Sequence, residues 1–151
     1  MKNLIVVLII SLVNSSCCKD NNMAHTITPT VIGYGSLFGA GEENIPEQNI
    51  VITNMTEWDN LKTKMNITNN TTDSFNETGI DFSTCKIIAS FDQIRNYGGF
   101  TIDNTNIIEN DYNIIINIQH FAPNTGNVPL IIEQPFKIIR IPKIPKPIVF
   151  N

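Results

Sequence analysis

The side chains best suited to proton transfer or metal binding are two histidines, His25 and His120, which lie far apart in the sequence. His25 falls in a polar segment that reads as a tether, where a catalytic group would lack a rigid frame. His120 ends the apolar face of a predicted strand, and a lone histidine is weak evidence for zinc, which usually takes three or four protein ligands. The sequence contains no nucleophile elbow or phosphate-binding loop. We therefore predict no enzymatic activity, no cofactor and no metal site.

The cysteine pair near the start of the chain indicates a targeting signal rather than a catalytic site. The opening MKNLIVVLIISLVNSSCCKD has a positive start, a short apolar core and small residues before a cysteine pair, as a secretory signal does. Its apolar run, Leu4–Val13, is too short for a transmembrane helix, which needs about 20 residues. Cys17 follows two serines, and this arrangement resembles a bacterial lipobox. We predict a lipoprotein signal peptide over residues 1–16 and lipidation at Cys17; an ordinary secretory cut with two stray cysteines is the alternative.

The rest of the chain is predicted to be a flexible tether, residues 17–30, followed by a single domain, residues 31–151. Lipidation would anchor this domain in the cell envelope, at the outer membrane, facing either the surface or the periplasm. The net charge of −4 argues against nucleic acid as a partner, because phosphate binding needs a clustered basic face. The third cysteine, Cys85, is predicted to be a buried free thiol.

One helix is predicted in the segment MTEWDNLKTKMN. Trp58, Leu61 and Met65 fall on one face at helical spacing, and Thr56 can cap the start. An aromatic and methionine stripe of this kind is typical of a core. We expect a helix of about ten residues that packs on a sheet.

Four strands follow, in STCKIIASF, GFTIDN, DYNIIINIQHF and FKIIRI. In the first of these, Cys85, Ile87, Ala89 and Phe91 share one face, as period-two alternation requires. The proline-containing tail IPKIPKPIVF suits an extended edge. Short links predict an α+β, mainly β fold: an antiparallel meander sheet of four or more strands with one packed helix. Closure toward a β-sandwich is the alternative.

The stretch FDQIRNYGGFTID places two glycines, Gly98 and Gly99, at a predicted corner of the sheet. In a meander, the loops Asp92–Gly99 and Phe121–Gln134 lie at the same end. The glycines either form a bulge or positive-φ turn, or let another backbone approach closely. The second interpretation predicts a partner-binding corner, in which Tyr and Arg are common anchors. Its residues are Arg95, Tyr97, Gly98, Gly99 and Phe100 from the first loop and Phe121, Pro123, Thr125 and Gly126 from the second.

The order of these motifs resembles the PrcB C-terminal domain family, which includes the lipoprotein subunit of a bacterial surface protease complex. The resemblance is carried by Gly98-Gly99-Phe100 and by the segment from Gln134-Pro135-Phe136 to Pro142-Lys143. The core family region is about residues 80–151, and the segment VITNMTEWDNLKTKMN is also similar to small PrcB-like lipoproteins. Family members often have Thr or Asn before the glycine pair and Tyr or Trp after it, where this chain has Tyr97 and Phe100.

The resemblance implies an envelope-anchored, non-catalytic lipoprotein that binds and stabilises a partner protein, such as a surface protease. No small-molecule ligand is evident from the sequence. The alternative is a protease inhibitor that presents the Gly98-Gly99 loop from a β-rich scaffold. A purely structural role in the envelope is a third interpretation.

Overall fold

A computed structural model of the chain describes residues 24–77, 79–124, 126 and 128–151. Within these ranges the chain forms one α-helix, α1 (Met55–Met65), a short 3₁₀ helix (Thr71–Ser74) and eight strands. The strands are β1 (His25–Ile27), β2 (Thr30–Leu37), β3 (Gln48–Ile52), β4 (Cys85–Phe91), β5 (Thr101–Glu109), β6 (Ile114–Phe121), β7 (Gln134–Pro142) and β8 (Ile148–Phe150).

The strands build two four-stranded sheets. The central sheet has the order β2-β7-β4-β3 and is antiparallel throughout. The outer sheet has the order β1-β5-β6-β8, with β8 added parallel to β6 at its edge. The α+β, mainly β prediction is confirmed, as is the prediction that the tail forms an edge.

The central sheet is buried on both faces. On one face Ile87 and Ile138 join a core with α1, and on the other Ile88 and Ile139 join a second core with the outer sheet. Consecutive residues of a strand point to opposite faces, so each isoleucine doublet serves both cores at once. The molecule therefore has three layers: outer sheet, central sheet and helix.

This layering corrects the predicted meander. The strands β4 and β5 follow each other in the chain but belong to different sheets, so the chain crosses between layers after Phe91 and returns before Gln134. The physical reason is the second apolar face of β4 and β7, which a single sheet with one wet face would leave in water. The arrangement is nearer to the sandwich alternative, with a helix covering the far side.

The tether prediction is also wrong within the described residues. His25–Ile27 is strand β1, which pairs with β5, and Ile27 is 5% exposed in the second core. Thr30 already begins β2. The compact part of the chain therefore starts before residue 31, because Ile27 of β1 fills part of the core between the two sheets. Residues 1–23, which include the predicted signal peptide and Cys17, lie outside the described residues.

The predicted helix face is confirmed, since Trp58, Leu61 and Met65 are all buried in the core below the central sheet. The start of the helix differs from the prediction. Asn54, not Thr56, is the N-cap, and its side chain accepts a hydrogen bond from the Glu57 backbone N–H at 3.0 Å. The Glu57 carboxylate accepts one in return from the Thr53 N–H at 3.0 Å. This reciprocal pattern satisfies two backbone donors at the helix start.

Candidate functional site

The two crossing loops meet at one end of the molecule, as predicted, although the strands that bring them there differ from the meander. Pairing of β4 with β7 sets Phe91 opposite Phe136, and pairing of β5 with β6 sets Thr101 opposite Phe121. The loop that leaves the central sheet therefore lies beside the loop that returns to it. We call this pair of loops, residues 92–100 and 122–133, the corner.

Backbone hydrogen bonds join the two loops directly. Arg95 and Glu133 form an antiparallel bridge, with N···O distances of 2.7 and 3.0 Å. The Gly98 N–H donates to the Pro129 carbonyl at 2.9 Å. The Phe100 N–H donates to the Glu133 carboxylate at 3.2 Å. These bonds satisfy loop backbone groups that would otherwise need water, and they fix the two loops to each other.

The glycine pair is explained by this contact between loops. Gly99 has a φ of 94°, which disfavours a side chain, and a Cβ there would lie 2.9 Å from Pro123 Cβ. A Cβ on Gly98 would lie 2.8 Å from the Ile131 methyl group Cγ2. The close approach predicted from the glycines therefore exists, but the approaching segment belongs to the same chain.

An ion pair between Asp92 and Arg95, with a buried carboxylate, stabilises the first loop. The Asp92 side chain is 1% exposed and accepts three hydrogen bonds from Arg95, from Nε at 3.0 Å and from Nη2 at 2.9 and 2.7 Å. His120 Nδ1 lies 3.2 Å from the same carboxylate. Charge-assisted bonds of this kind are short and directional. The Arg95 guanidinium is thus committed to the fold and is not free to anchor a partner.

Two aromatic rings, Phe100 and Tyr97, pack in series on the Arg95 side chain toward the surface. The Arg95 guanidinium lies over the Phe100 ring at 4.4 Å from its centroid, within cation–π range. The Tyr97 ring packs on Phe100 at a centroid distance of 4.9 Å, in a tilted arrangement. Tyr97 is still 42% exposed. Of the first-loop residues predicted to bind, Tyr97 is therefore the one that is both ordered by neighbours and open to a partner.

The second loop holds the side chains that sequence reasoning missed. Leu130 is 95% exposed, and Ile131 and Ile132 follow it at 41% and 44%. A run of exposed apolar residues is unusual unless it has a function. The signal was present in the sequence NVPLIIEQPF, where three apolar residues stand in a predicted loop.

The remaining residues predicted for the corner differ in how accessible they are to a partner. Pro123 is half-buried against Gly99 and so has a packing role. Phe121, at the end of β6, is 49% exposed, and Gly126 is exposed, where an added Cβ would meet nothing within 4 Å. Thr125 lies outside the described residues. The surface that the structure leaves for contact is therefore Tyr97, Phe121 and Leu130–Ile132, and we call this set the apolar rim.

A second polar link near the corner joins the two sheets. Lys137 of β7 donates to Asp103 of β5 at 2.6 Å, and the buried Asn104 amide donates to Ser90 at 3.0 Å and to the Lys137 carbonyl at 3.2 Å. Partial burial works against the charged form of Asp103, but the hydrogen bonds from Lys137 and Thr105 outweigh it and lower the pKa of this carboxyl. The ionised pair therefore contributes to holding the sheets in register.

The third cysteine lies in the core, as predicted. Cys85 is 2% exposed and its thiol lies 3.0 Å from the Asp81 carbonyl. Burial raises the pKa of this thiol, which keeps it protonated and unreactive at neutral pH. Within the described ranges no group of three or more His, Cys, Asp or Glu side chains could hold a metal ion. The same part of the chain contains no helix long and apolar enough to span a bilayer.

Comparison of the chain with family models, curated proteins and solved structures finds no match. The similarity to the PrcB C-terminal domain family therefore stays a prediction from the quoted motifs.

Proposed function

We propose that this chain is an envelope-anchored, non-catalytic lipoprotein that binds a partner protein through the corner and stabilises it. The observation that carries the proposal is the apolar rim, in which Leu130 is 95% exposed on a loop that is itself bonded to its neighbour. Large exposed apolar groups on a monomer mark interaction sites more often than chance. The PrcB-like motifs suggest a surface protease as the partner class.

Rigidity of the rim supports binding in a physical sense. A side chain that is already ordered loses less conformational entropy on binding. Ile131 packs on Gly98, and Tyr97 packs on Phe100, so two rim residues are held before any partner arrives. Leu130 directly precedes Ile131 in the sequence, is 95% exposed, and would become the buried anchor of the complex. Full burial of one leucine is worth about 1.5–3 kcal/mol, or about 10- to 150-fold in affinity.

The inhibitor alternative needs a different surface from the one first expected. Gly98 is buried against the second loop, and Gly99 is exposed but lies against Pro123, so the glycine pair carries no side chain that could fill a protease cleft. An inhibitor would have to insert Leu130 and its neighbours into a protease cleft. Both hypotheses use the apolar rim, and only the effect on protease activity separates them.

The test uses the tagged, lipidated protein isolated from its native envelope in mild detergent. The corner variant is Leu130→Ser with Ile132→Ser, which spares the packing of Ile131. The matched control is Met55→Ser with Tyr112→Ser, two residues that are 45% and 76% exposed, at the start of α1 and in the β5–β6 turn, outside the corner. We expect a stoichiometric protein that copurifies with wild type and control and is lost from the corner variant.

The readout on the partner decides its relation to this chain. If the partner is a protease, its level and activity should fall in cells that carry the corner variant; a rise in activity would instead favour inhibition. Equal recovery of the same proteins by wild type and corner variant would contradict binding through the rim.

The anchor is tested separately at Cys17. Cys17→Ser should release the protein from the membrane fraction, and the wild-type chain should carry acyl mass on its first mature residue. An unmodified mature N-terminus at any other position would contradict the lipoprotein prediction.

A further inference from the structure

Each of the two sheets has two edges, and three of the four are blocked in ways that natural proteins use against strand pairing. The edge strands β1 and β8 have only three residues each, and the part of β5 that β1 leaves unpaired contains a bulge between Asp103 and Asn106. Strand β2 has a bulge between Val31 and Gly33, and its Ile32 carbonyl is already bonded to the Asn76 N–H at 2.8 Å. Short strands, bulges and covered edges all prevent another chain from adding to a sheet.

The fourth edge, β3, has none of these features. Its five residues QNIVI pair with β4 in unbroken register and include no proline and no charge. In an antiparallel ladder every second residue turns its N–H and C=O away from its partner strand. Among the described residues, no backbone bond outside the central sheet occupies this edge. Ile50 and Val51 are only half-buried although both are apolar.

A groove runs along this edge, between β3 and α1. Its volume is about 350 Å³, and Ile45, Ile50 and Leu61 contribute its apolar wall. Two exposed charges line it, Glu57 in the first turn of α1 and Lys64 in the last turn. Glu57 is tied to the Ile52 end of β3 through its bond to the Thr53 N–H. Lys64 lies seven residues further on, or about 10 Å along the helix, which approaches the length of β3.

We propose that a second copy of this chain occupies the β3 edge, by antiparallel pairing of β3 with β3 around a two-fold axis at Ile50. In this register Gln48 of each copy faces Ile52 of the other. Glu57 of one copy then lies toward Lys64 of the second copy, and the reverse pair forms on the other side of the axis. The charge order of α1 is thus self-complementary under the symmetry that the strand requires. This inference does not rest on the function proposed for the corner.

The first test is a cysteine cross-link in intact cells that express the full chain. Residues directly opposite in an antiparallel pair have Cα atoms about 4.5–5.5 Å apart, within the range of a disulfide. Ile50→Cys, in a background with Cys18→Ser, should therefore give a disulfide-linked dimer under mild oxidation. The native thiol of Cys85 is 2% exposed and should not compete. The matched control is Val149→Cys, a residue of the β8 edge that is 40% exposed.

Each outcome of this test bears on the proposal. A homodimer from Ile50→Cys and none from Val149→Cys is the expected result. Equal yields from both variants would mean random collision, and no homodimer would mean a free edge; either result overturns the proposal. A cross-link from Ile50→Cys to a different protein would also overturn it and assign the edge to that protein.

The second test reverses the charges. Lys64→Glu places two acidic groups across each half of the interface and should weaken dimerisation about tenfold, since two surface pairs change sign. Adding Glu57→Lys restores opposite charges and should recover dimerisation. Because Glu57 also caps α1, the thermal unfolding of each variant is measured alongside its sedimentation in detergent. Failure of the double variant to recover, with an unchanged unfolding temperature, would contradict the proposed register.

Discussion

Replacement of either partner in the buried pair of Asp92 and Arg95 should reveal what holds the corner in place. The three hydrogen bonds between the two side chains measure 2.7, 2.9 and 3.0 Å, and the Asp92 side chain is 1% exposed. Loss of one member of a buried ion pair costs about 3–5 kcal/mol, because the other charge is left without a partner. Against a total stability of about 5–15 kcal/mol, single variants should remain folded and measurable.

The two substitutions should not cost the same. Arg95→Ala leaves the carboxylate of Asp92 buried with only the Gln93 backbone N–H, at 2.8 Å, and His120 beside it. Asp92→Ala leaves a guanidinium that is 21% exposed and still lies over Phe100. The arginine can turn toward water, and the carboxylate cannot. We therefore expect about 3–4 kcal/mol for Arg95→Ala and about 2–3 kcal/mol for Asp92→Ala.

Urea unfolding of both single variants and of the double variant measures these costs as a double-mutant cycle. The double variant should cost less than the sum of the singles, with a coupling energy of about 1–3 kcal/mol. An additive cycle, or a cost below about 1 kcal/mol for Arg95→Ala, would refute the argument that this ion pair supports the corner.

Three further predictions concern the glycine, the link between the sheets and the core. Gly99→Ala should cost about 1–3 kcal/mol in urea unfolding, because it adds a Cβ at a φ of 94° and 2.9 Å from Pro123; a neutral effect would mean that the loop can rearrange. Ionised Asp103 stabilises the fold because its folded pKa is lowered, so this contribution is complete above its unfolded pKa of about 4 and is lost as the pH falls through the lower folded value. Asp103→Asn should therefore destabilise at pH 7 by about 1–2 kcal/mol and much less at pH 2, and an equal cost at both pH values would contradict this. Trp58 is 1% exposed and its buried indole N–H has no hydrogen-bond partner. Trp58→Ala should therefore lower the free energy of unfolding by about 3–5 kcal/mol, and Trp58→Phe should lower it clearly less. Thermal unfolding followed by circular dichroism measures both variants, and the opposite order would contradict this.

Local periodicity explains which parts of the fold were predictable. The spacing of Trp58, Leu61 and Met65 identifies a helix face without any knowledge of the sheet, and the structure buries all three. Alternation around Cys85 and Ile87 likewise identifies one face of β4. The second face was missed, although the doublets Ile87-Ile88 and Ile138-Ile139 are typical of strands buried on both sides. A doublet shows that a second layer is needed but does not identify which strands supply it.

The corner was predictable in position and not in detail. Because β4 pairs with β7 and β5 pairs with β6, the loops that contain Arg95 and Glu133 meet whether these strands form one sheet or two. The two loops were therefore correctly placed together. The role of Gly98 and Gly99 depends on Ile131 and Pro123, which are more than twenty residues away in the sequence. No local pattern carries that information. The exposure of Leu130 was missed for the same reason, because an apolar run in a loop can turn inward or outward.

The two proposed surfaces are geometrically compatible. Gln48 pairs with Phe91, next to the corner, whereas Ile52 pairs with Ile87 at the far end of the sheet. A two-fold axis at Ile50 therefore places the corners of the two copies at opposite ends of a joined central sheet, where neither covers the other. The Leu130→Ser, Ile132→Ser variant should lose its partner and keep the Ile50→Cys cross-link. Loss of both together would mean that the partner bridges the two copies, and the edge would then depend on the corner.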